Sequence, residues 1–398
     1  MKSNRLIIVA VLLLALVAPA VWAASAESPI HLNNRLRLGF DDNIYQEDDD
    51  RDPNSSFRIV EELELLLNLN MERTYLGLRY RPSLIWYEDR EPGSTDFLHD
   101  LDLNFSHNFS PNLVLSIADT LQAGQLPELQ DENYIVREED DHYHNSAIAT
   151  LSYNLRPETR IDVSGRHILF IYDDDSPAKE NNDYTSVIGG LTLRQQLASR
   201  STVMGDLRYQ TLSYNEAGAE YNRDADTIYA GLGVEQNFSP AVIGTLRGGL
   251  ESRMYDNEAY DDNNQPYGEI SMTFLPTPAT RITGAASYSI YESDVDSYLS
   301  QNRSYLSLSM AHDFTAKLSF YVSGAYSLSA YEADYSLDSA MGDADENAYM
   351  VSARLAYRIN RINWLEAGWQ YVQLDSDVLN RESYVRNRFD VGWKIQLF

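Results

Sequence analysis

The sequence predicts an all-β fold: a transmembrane, up-and-down antiparallel β-barrel of about eighteen strands, with sixteen as the alternative. Three observations predict it. The chain begins like an export signal, its apolar residues recur at every second position, and tight turns alternate with long polar loops.

Lys2 and Arg5 precede the unbroken apolar run Leu6 to Val17, and Pro19 leads into small residues. Charge, then an apolar stretch, then small residues is the order a secretory signal requires. The run falls short of the ~20 apolar residues of a spanning helix, so the expectation is a cleaved signal rather than an anchor. The signal is assigned to residues 1–23, with cleavage after Ala26 as the other option, and the barrel domain to residues 27–398. No later segment is apolar for long enough to cross a bilayer as a helix. The chain has no cysteine, so its stability has to come from elsewhere than disulfides.

Successive side chains of a strand point to opposite faces, so a lipid-facing strand needs apolar residues at alternate positions. Leu63, Leu65, Leu67, Leu69 and Met71 alternate with Glu62, Glu64, Leu66, Asn68 and Asn70. Leu306, Leu308, Met310 and Phe314 do the same against Tyr305, Ser307, Ser309 and Asp313. Helical spacing would scatter each set around the helix. Eighteen such segments start near residues 30, 57, 75, 97, 113, 146, 159, 184, 202, 227, 242, 267, 280, 303, 317, 348, 363 and 384. An even count puts both termini on one side, expected to be the periplasm.

The connections follow the same logic. Ser110-Pro111-Asn112, Arg156-Pro157-Glu158 and Ser239-Pro240-Ala241 are tight turns, and His107-Asn108-Phe109-Ser110-Pro111 nearly repeats as Gln236-Asn237-Phe238-Ser239-Pro240. The opposite connections are long and acidic. A soluble β-sandwich would show similar alternation, but it needs neither the export signal nor the short/long rhythm. At the closing strand the apolar face is Val391, Trp393, Ile395 and Leu397, which leaves Phe398 one step out of register.

The phrase Leu36-Arg37-Leu38-Gly39-Phe40-Asp41-Asp42-Asn43-Ile44-Tyr45 resembles the opening strand and loop of the putative β-barrel porin 2 family. The resemblance implies an outer-membrane barrel, often encoded near exopolysaccharide export genes, and it implies no catalytic residues.

The net charge of −29 excludes nucleic acid as a partner, because phosphate binding needs a basic face. Nine long loops, beginning with 41–56 and ending with 375–383, hold 43 of the 60 acidic residues and only 6 of the 31 basic ones. An acidic outer rim therefore sits over a mildly basic barrel. Parity sends the barrel charges inward, where they avoid the lipid face and can pair across strands. The lumen candidates are Arg79, Arg81, Arg160, Arg166, Arg208, Arg247, Arg253, Arg354, Arg388, Asp102, Asp206 and Glu251. Two uses are open to them: Arg rings that select anions, or Arg–carboxylate ladders that brace the interior. Glu61 and Asp119 break the pattern by pointing outward, through a bulge or because they lie near the outer boundary.

Tyr87, Tyr172, Tyr214, Tyr255, Tyr291 and Tyr331 recur at the outer ends of upward strands. They read either as inward mouth aromatics able to stack on sugars, or as an interfacial girdle with slipped register. The acidic runs Asp48-Asp49-Asp50, Glu138-Glu139-Asp140-Asp141 and Asp173-Asp174-Asp175 offer oxygen ligands to loosely bound Ca2+ or Mg2+ shared with surface lipid, without the spacing of a dedicated site. Asp141-His142-Tyr143-His144 is a weak metal pattern in a loop. No motif sets a nucleophile beside a base, so the chain is not expected to be an enzyme; a barrel hydrolase is the least favoured class.

The expected function is a porin-like passive channel for hydrophilic solutes or an exported saccharide. The alternative is a non-conducting structural or assembly barrel of an exopolysaccharide export system. The expected partners are outer-membrane lipid and lipopolysaccharide, the barrel-assembly machinery and polysaccharide-export proteins.

Overall fold

The computed structural model describes residues 28–397 apart from 92, 125–128, 131–134, 137–140, 174–181, 216–221, 296, 334–341 and 380. The export signal, Phe398 and much of the acidic runs at 138–140 and 174–175 lie outside the described residues.

The strands in chain order are β1 (Ile30–Asp41), β2 (Ser56–Asn70), β3 (Thr74–Tyr87), β4 (Thr95–Ser110), β5 (Leu113–Gly124), β6 (Leu129–Gln130), β7 (Ile135–Val136), β8 (His142–Arg156), β9 (Thr159–Tyr172) and β10 (Tyr184–Ala198). They continue as β11 (Ser201–Tyr214), β12 (Ala225–Ser239), β13 (Val242–Tyr255), β14 (Asn263–Thr277), β15 (Thr280–Glu292), β16 (Tyr298–Asp313), β17 (Leu318–Ala333), β18 (Ala344–Arg358), β19 (Asn363–Ser376) and β20 (Tyr384–Gln396). Eighteen of them form one antiparallel sheet, which β1 closes by pairing with β20. The remaining two, β6 and β7, pair with each other inside the longest loop. Closure satisfies the backbone without leaving an edge, which hydrocarbon demands.

The expected strand starts hold within a few residues, with a one-sided error. Strands descending from long loops begin earlier than the alternation suggested: β8 at 142, β14 at 263, β16 at 298 and β18 at 344. Above the membrane both faces of the wall meet polar surroundings. Alternation fades there while ladder pairing continues. Several residues first read as loop, among them Asp41, Glu292 and Glu346, therefore belong to the wall.

Apolar side chains cover the outside, where Leu38, Leu232, Leu250 and Val391 are among the most exposed. The closing strand follows its expected face, with Val391, Trp393 and Leu397 all exposed. The repeated Asn-Phe-Ser-Pro phrase has a structural cause. One residue before the turn the register slips between Asn108 and Ser110, and again between Asn237 and Ser239. The extra residues are Phe109 and Phe238. The same slip isolates Leu155 and Leu197 in two further hairpins. A bulge re-aims its extra residue, and here it pushes a large apolar side chain outward at the turn end of the wall. Ser110 Oγ and Ser239 Oγ then accept the backbone N–H groups of Asn112 and Ala241, each at 3.2 Å, to set the turns.

The buried clusters lie inside the barrel at its loop end. Phe170, Tyr172, Tyr184, Leu212 and Tyr214 form one, and Tyr298, Tyr331, Ala333 and Val378 form another.

Candidate functional site

The lumen is lined by the charges that parity sent inward, and most of them are paired. Arg79 contacts Asp100 at 3.5 Å and also Asp102, while Arg81 holds the other oxygen of Asp100. Arg160 meets Asp162 at 2.9 Å, and Arg194 bridges Asp162 to Glu235. Arg208 reaches Asp206 at 2.9 Å and, at 3.6 Å, Glu269, which Arg247 shares. Its guanidinium lies over the rings of Tyr229 and Tyr267. Arg253 contacts Glu292 at 3.4 Å. Arg166 donates to Ser146 Oγ at 3.1 Å. The ladder arrangement follows from strand pairing, which places residues on one face of neighbouring strands within side-chain reach.

Pairing is densest at the seam between the first and last strands. Arg386 and Arg388 both donate to Asp41, Arg58 reaches over β1 to Asp390 at 3.0 Å, and Arg35 spans β20 to Glu366 at 2.8 Å. Asp41, Asp42 and Asn43 come from the phrase that opens the chain's family resemblance. Asp42 accepts Asn387 N at 2.6 Å, and Asn43 donates to Val385 O at 3.1 Å. These three side chains all grip β20. Arg354 stands apart: it points into the lumen and is exposed, and among the described residues no carboxylate pairs with it.

The mouth tyrosines point inward. Tyr87, Tyr172, Tyr214, Tyr255 and Tyr331 are all buried, which corrects the girdle reading. Arginines cap several of their rings. Arg90 lies 4.3 Å from the Tyr87 centroid, Arg223 4.2 Å from Tyr214, and Arg303 3.7 Å from Tyr291. Buried rings packed in this way are not free platforms for a sugar.

What buries them is a loop that the sequence did not reveal. The β14–β15 pairing ends at Gly268 and Tyr288, although both strands run on. Above that point β15 parts from β14 while staying paired with β16, and leans inward, where Glu251 of β13 accepts Ile290 N at 2.9 Å and Ser289 Oγ at 2.7 Å. The segment from Ser293 to Val295 therefore folds across the mouth. Arg223, from the β11–β12 loop, donates to Tyr298 O at 3.2 Å and to Asn182 at 3.1 Å. Arg381, from the β19–β20 loop, binds Asp294 at 2.7 Å and Glu346 at 2.9 Å. Arginines from two other loops and Glu251 of the wall thus hold one segment. Each of the two arginines was visible as a lone basic residue in an acidic loop, but nothing in the sequence paired them.

Two further expectations need correction. His142 and His144 are not in a loop: they open β8, point inward and pack on Phe170, with centroids 5.3 and 6.1 Å away. Among the described residues no group of three His, Asp or Glu side chains is placed to hold a metal ion. Glu61 and Asp119 do face outward, but without a bulge, because the β1–β2 and β5–β8 registers run unbroken past them. Each carboxylate is held by an outward asparagine on the next strand: Asn34 for Glu61, and Asn145 for Asp119 at 2.7 Å.

A closed eighteen-strand barrel with an apolar outside and a charged lumen is a porin-type barrel of the outer membrane. The chain belongs to the putative beta-barrel porin 2 family, whose model matches residues 198–397. The phrase Leu36 to Tyr45 lies outside that match. The family is one of porins rather than enzymes. Among solved structures the chain is similar to OpdO of Pseudomonas aeruginosa, at 12% identity and a TM-score of 0.47 over 93% of this chain and 98% of that one. It is similar to OccAB2 of Acinetobacter baumannii, at 9% identity and 0.48 over 94% and 100%. A third is OccK2 (OpdF) of Pseudomonas aeruginosa in complex with glucuronate, at 11% and 0.47 over 93% and 98%. No curated protein matches the chain.

Proposed function

We propose that the protein is a passive diffusion channel of the outer membrane for hydrophilic solutes, an exported saccharide among them. The observation that carries this reading is the lining. Arg79 and Arg160, though ion-paired, and Arg354, which no described carboxylate pairs, keep their side chains exposed inside the barrel. Exposed guanidinium groups inside the wall require water there, and eighteen strands enclose enough width for it. Both termini face the periplasm in this reading, and the acidic loops meet lipopolysaccharide and its divalent ions outside. Planar-bilayer recording of the refolded mature chain tests it: discrete conductance steps are expected, and a barrel that inserts without them overturns the channel.

The pinned segment Ser293 to Val295 favours a second reading, a barrel that conducts little and serves to anchor or assemble an exopolysaccharide export system. Impaired polysaccharide export on deletion, with no conductance, would support it over the channel.

A further inference from the structure

We propose that a recess halfway along the seam wall binds the carboxylate of a sugar acid, with Arg354 as its receptor. The inference rests on the channel reading only in that the solute arrives through the lumen.

The recess has a volume of about 480 Å3, within the range of small-molecule sites. Gly368, an inward position of its floor, carries no side chain, and the nearest atom a Cβ there would meet is Asp390 Oδ2 at 3.5 Å. Gly368 lies between Arg354 and Asp390 in the strand register, so the row drops away directly beside the Arg354 guanidinium. Every carboxylate on the lining is already neutralised: Glu62 by Arg35 and Arg37, Asp100 by Arg81, Glu366 by Arg35 and Asp390 by Arg58. Arg354 is the cation left over. Its planar fork suits a carboxylate bound through two parallel N–H donors.

The neighbour across the β17–β18 ladder sharpens the ligand class. Tyr321 pairs directly with Arg354, lines the same recess and leaves 43% of its surface exposed. Unlike the mouth tyrosines, it has no cap. An open aromatic face beside an unpaired guanidinium suits a ring with an apolar C–H face and a carboxylate at its edge. An inorganic anion would use only the arginine.

Galacturonate is the probe, with galactose and acetate as comparisons, titrated into the full mature barrel in detergent by calorimetry and added to open channels in bilayers. Galacturonate is expected to bind and to interrupt the current, acetate to bind more weakly, and galactose to do neither. Arg354→Gln should weaken galacturonate about tenfold or more, the loss of a charge-assisted pair. Tyr321→Leu should bring galacturonate down to the level of acetate. Among the described residues Arg354 has no partner whose loss would unfold the barrel, and Arg281→Gln, at the opposite end of its strand from the loops, is expected to change nothing. Conductance without galacturonate binding, or binding unchanged in Arg354→Gln, overturns the recess and leaves the channel standing. Binding that depends on Arg354 in a barrel without conductance keeps the recess and overturns the channel.

Discussion

Arg386 donates Nε and Nη2 to the two carboxylate oxygens of Asp41, each at 2.9 Å, across the seam where the first strand meets the last. The residues stand 345 positions apart in the chain. Both are nearly inaccessible, and Arg388 adds a third contact at 3.1 Å. A barrel is stable only when its last edge pairs with its first, so this contact sits where closure is decided. The phrase that signals the family thereby acquires a physical role, because Asp41, Asp42 and Asn43 fasten β20.

Asp41→Asn is expected to be among the most damaging single changes. It leaves Arg386 and Arg388 buried with their shared counter-charge gone, a loss on the order of 3–5 kcal/mol. Urea unfolding of the barrel in lipid vesicles, read by the shift between folded and unfolded gel mobility, measures it. An unchanged midpoint would show that the remaining ladder closes the seam alone.

The seam also depends on two missing side chains. A Cβ on Gly39 would sit 2.8 Å from Phe389 O, and one on Gly392 would sit 2.5 Å from Arg37 Cγ and 2.8 Å from Leu36 O. Backbone atoms cannot yield cheaply, so Gly39→Val and Gly392→Val should each destabilise by about 1–3 kcal/mol. Gly165→Val, where nothing lies within 4 Å, is the comparison and should cost far less.

These contacts mark the limit of what the sequence displayed. Strand count and facing were legible because a lipid-facing wall imposes a two-residue period on residues such as Leu63, Leu65 and Leu67, and the lumen charges followed by parity. The same rule placed Tyr172 and Tyr214 inward. It failed where lipid stops: His142 and His144 looked like loop because alternation ends above the membrane, although the ladder goes on. Partner choice was legible nowhere. Asp41 with Arg386, and Arg223 with Tyr298, are contacts between segments far apart in the chain, and a lone arginine in an acidic loop has many carboxylates to choose from.

The loop clamp makes a prediction of its own. Arg381 is buried between Asp294 and Glu346, and Tyr331 Oη accepts from it at 3.2 Å. Arg381→Ala strands two carboxylates and should release the segment from Ser293 to Val295, at a local cost of about 3–5 kcal/mol. Single-channel current should rise and grow noisier, and Arg223→Ala should act in the same direction. Equal conductance in all of these variants would mean that solute passes without meeting this loop.

The outward carboxylates offer the reverse test, since they are expected to weaken the barrel. Glu61 and Asp119 lie on faces otherwise built of residues such as Ile59, Leu63, Ile117 and Leu121. Acidic side chains on the lipid face cost less than the 2–4 kcal/mol of a midplane arginine, and the asparagines that hold them offset part of that. Replacing only the acid would take a partner from each amide, so the informative changes are the pairs Glu61→Leu with Asn34→Leu, and Asp119→Leu with Asn145→Leu. Each pair should stabilise the barrel in vesicles by about 1 kcal/mol, the transfer gain of an apolar surface facing lipid. If a pair destabilises instead, the polar contacts do more than tolerate lipid, and that part of the wall faces something other than acyl chains. Cross-linking in native membranes would then show whether it meets a second protein, because polar side chains between membrane segments are most often satisfied by a neighbouring chain.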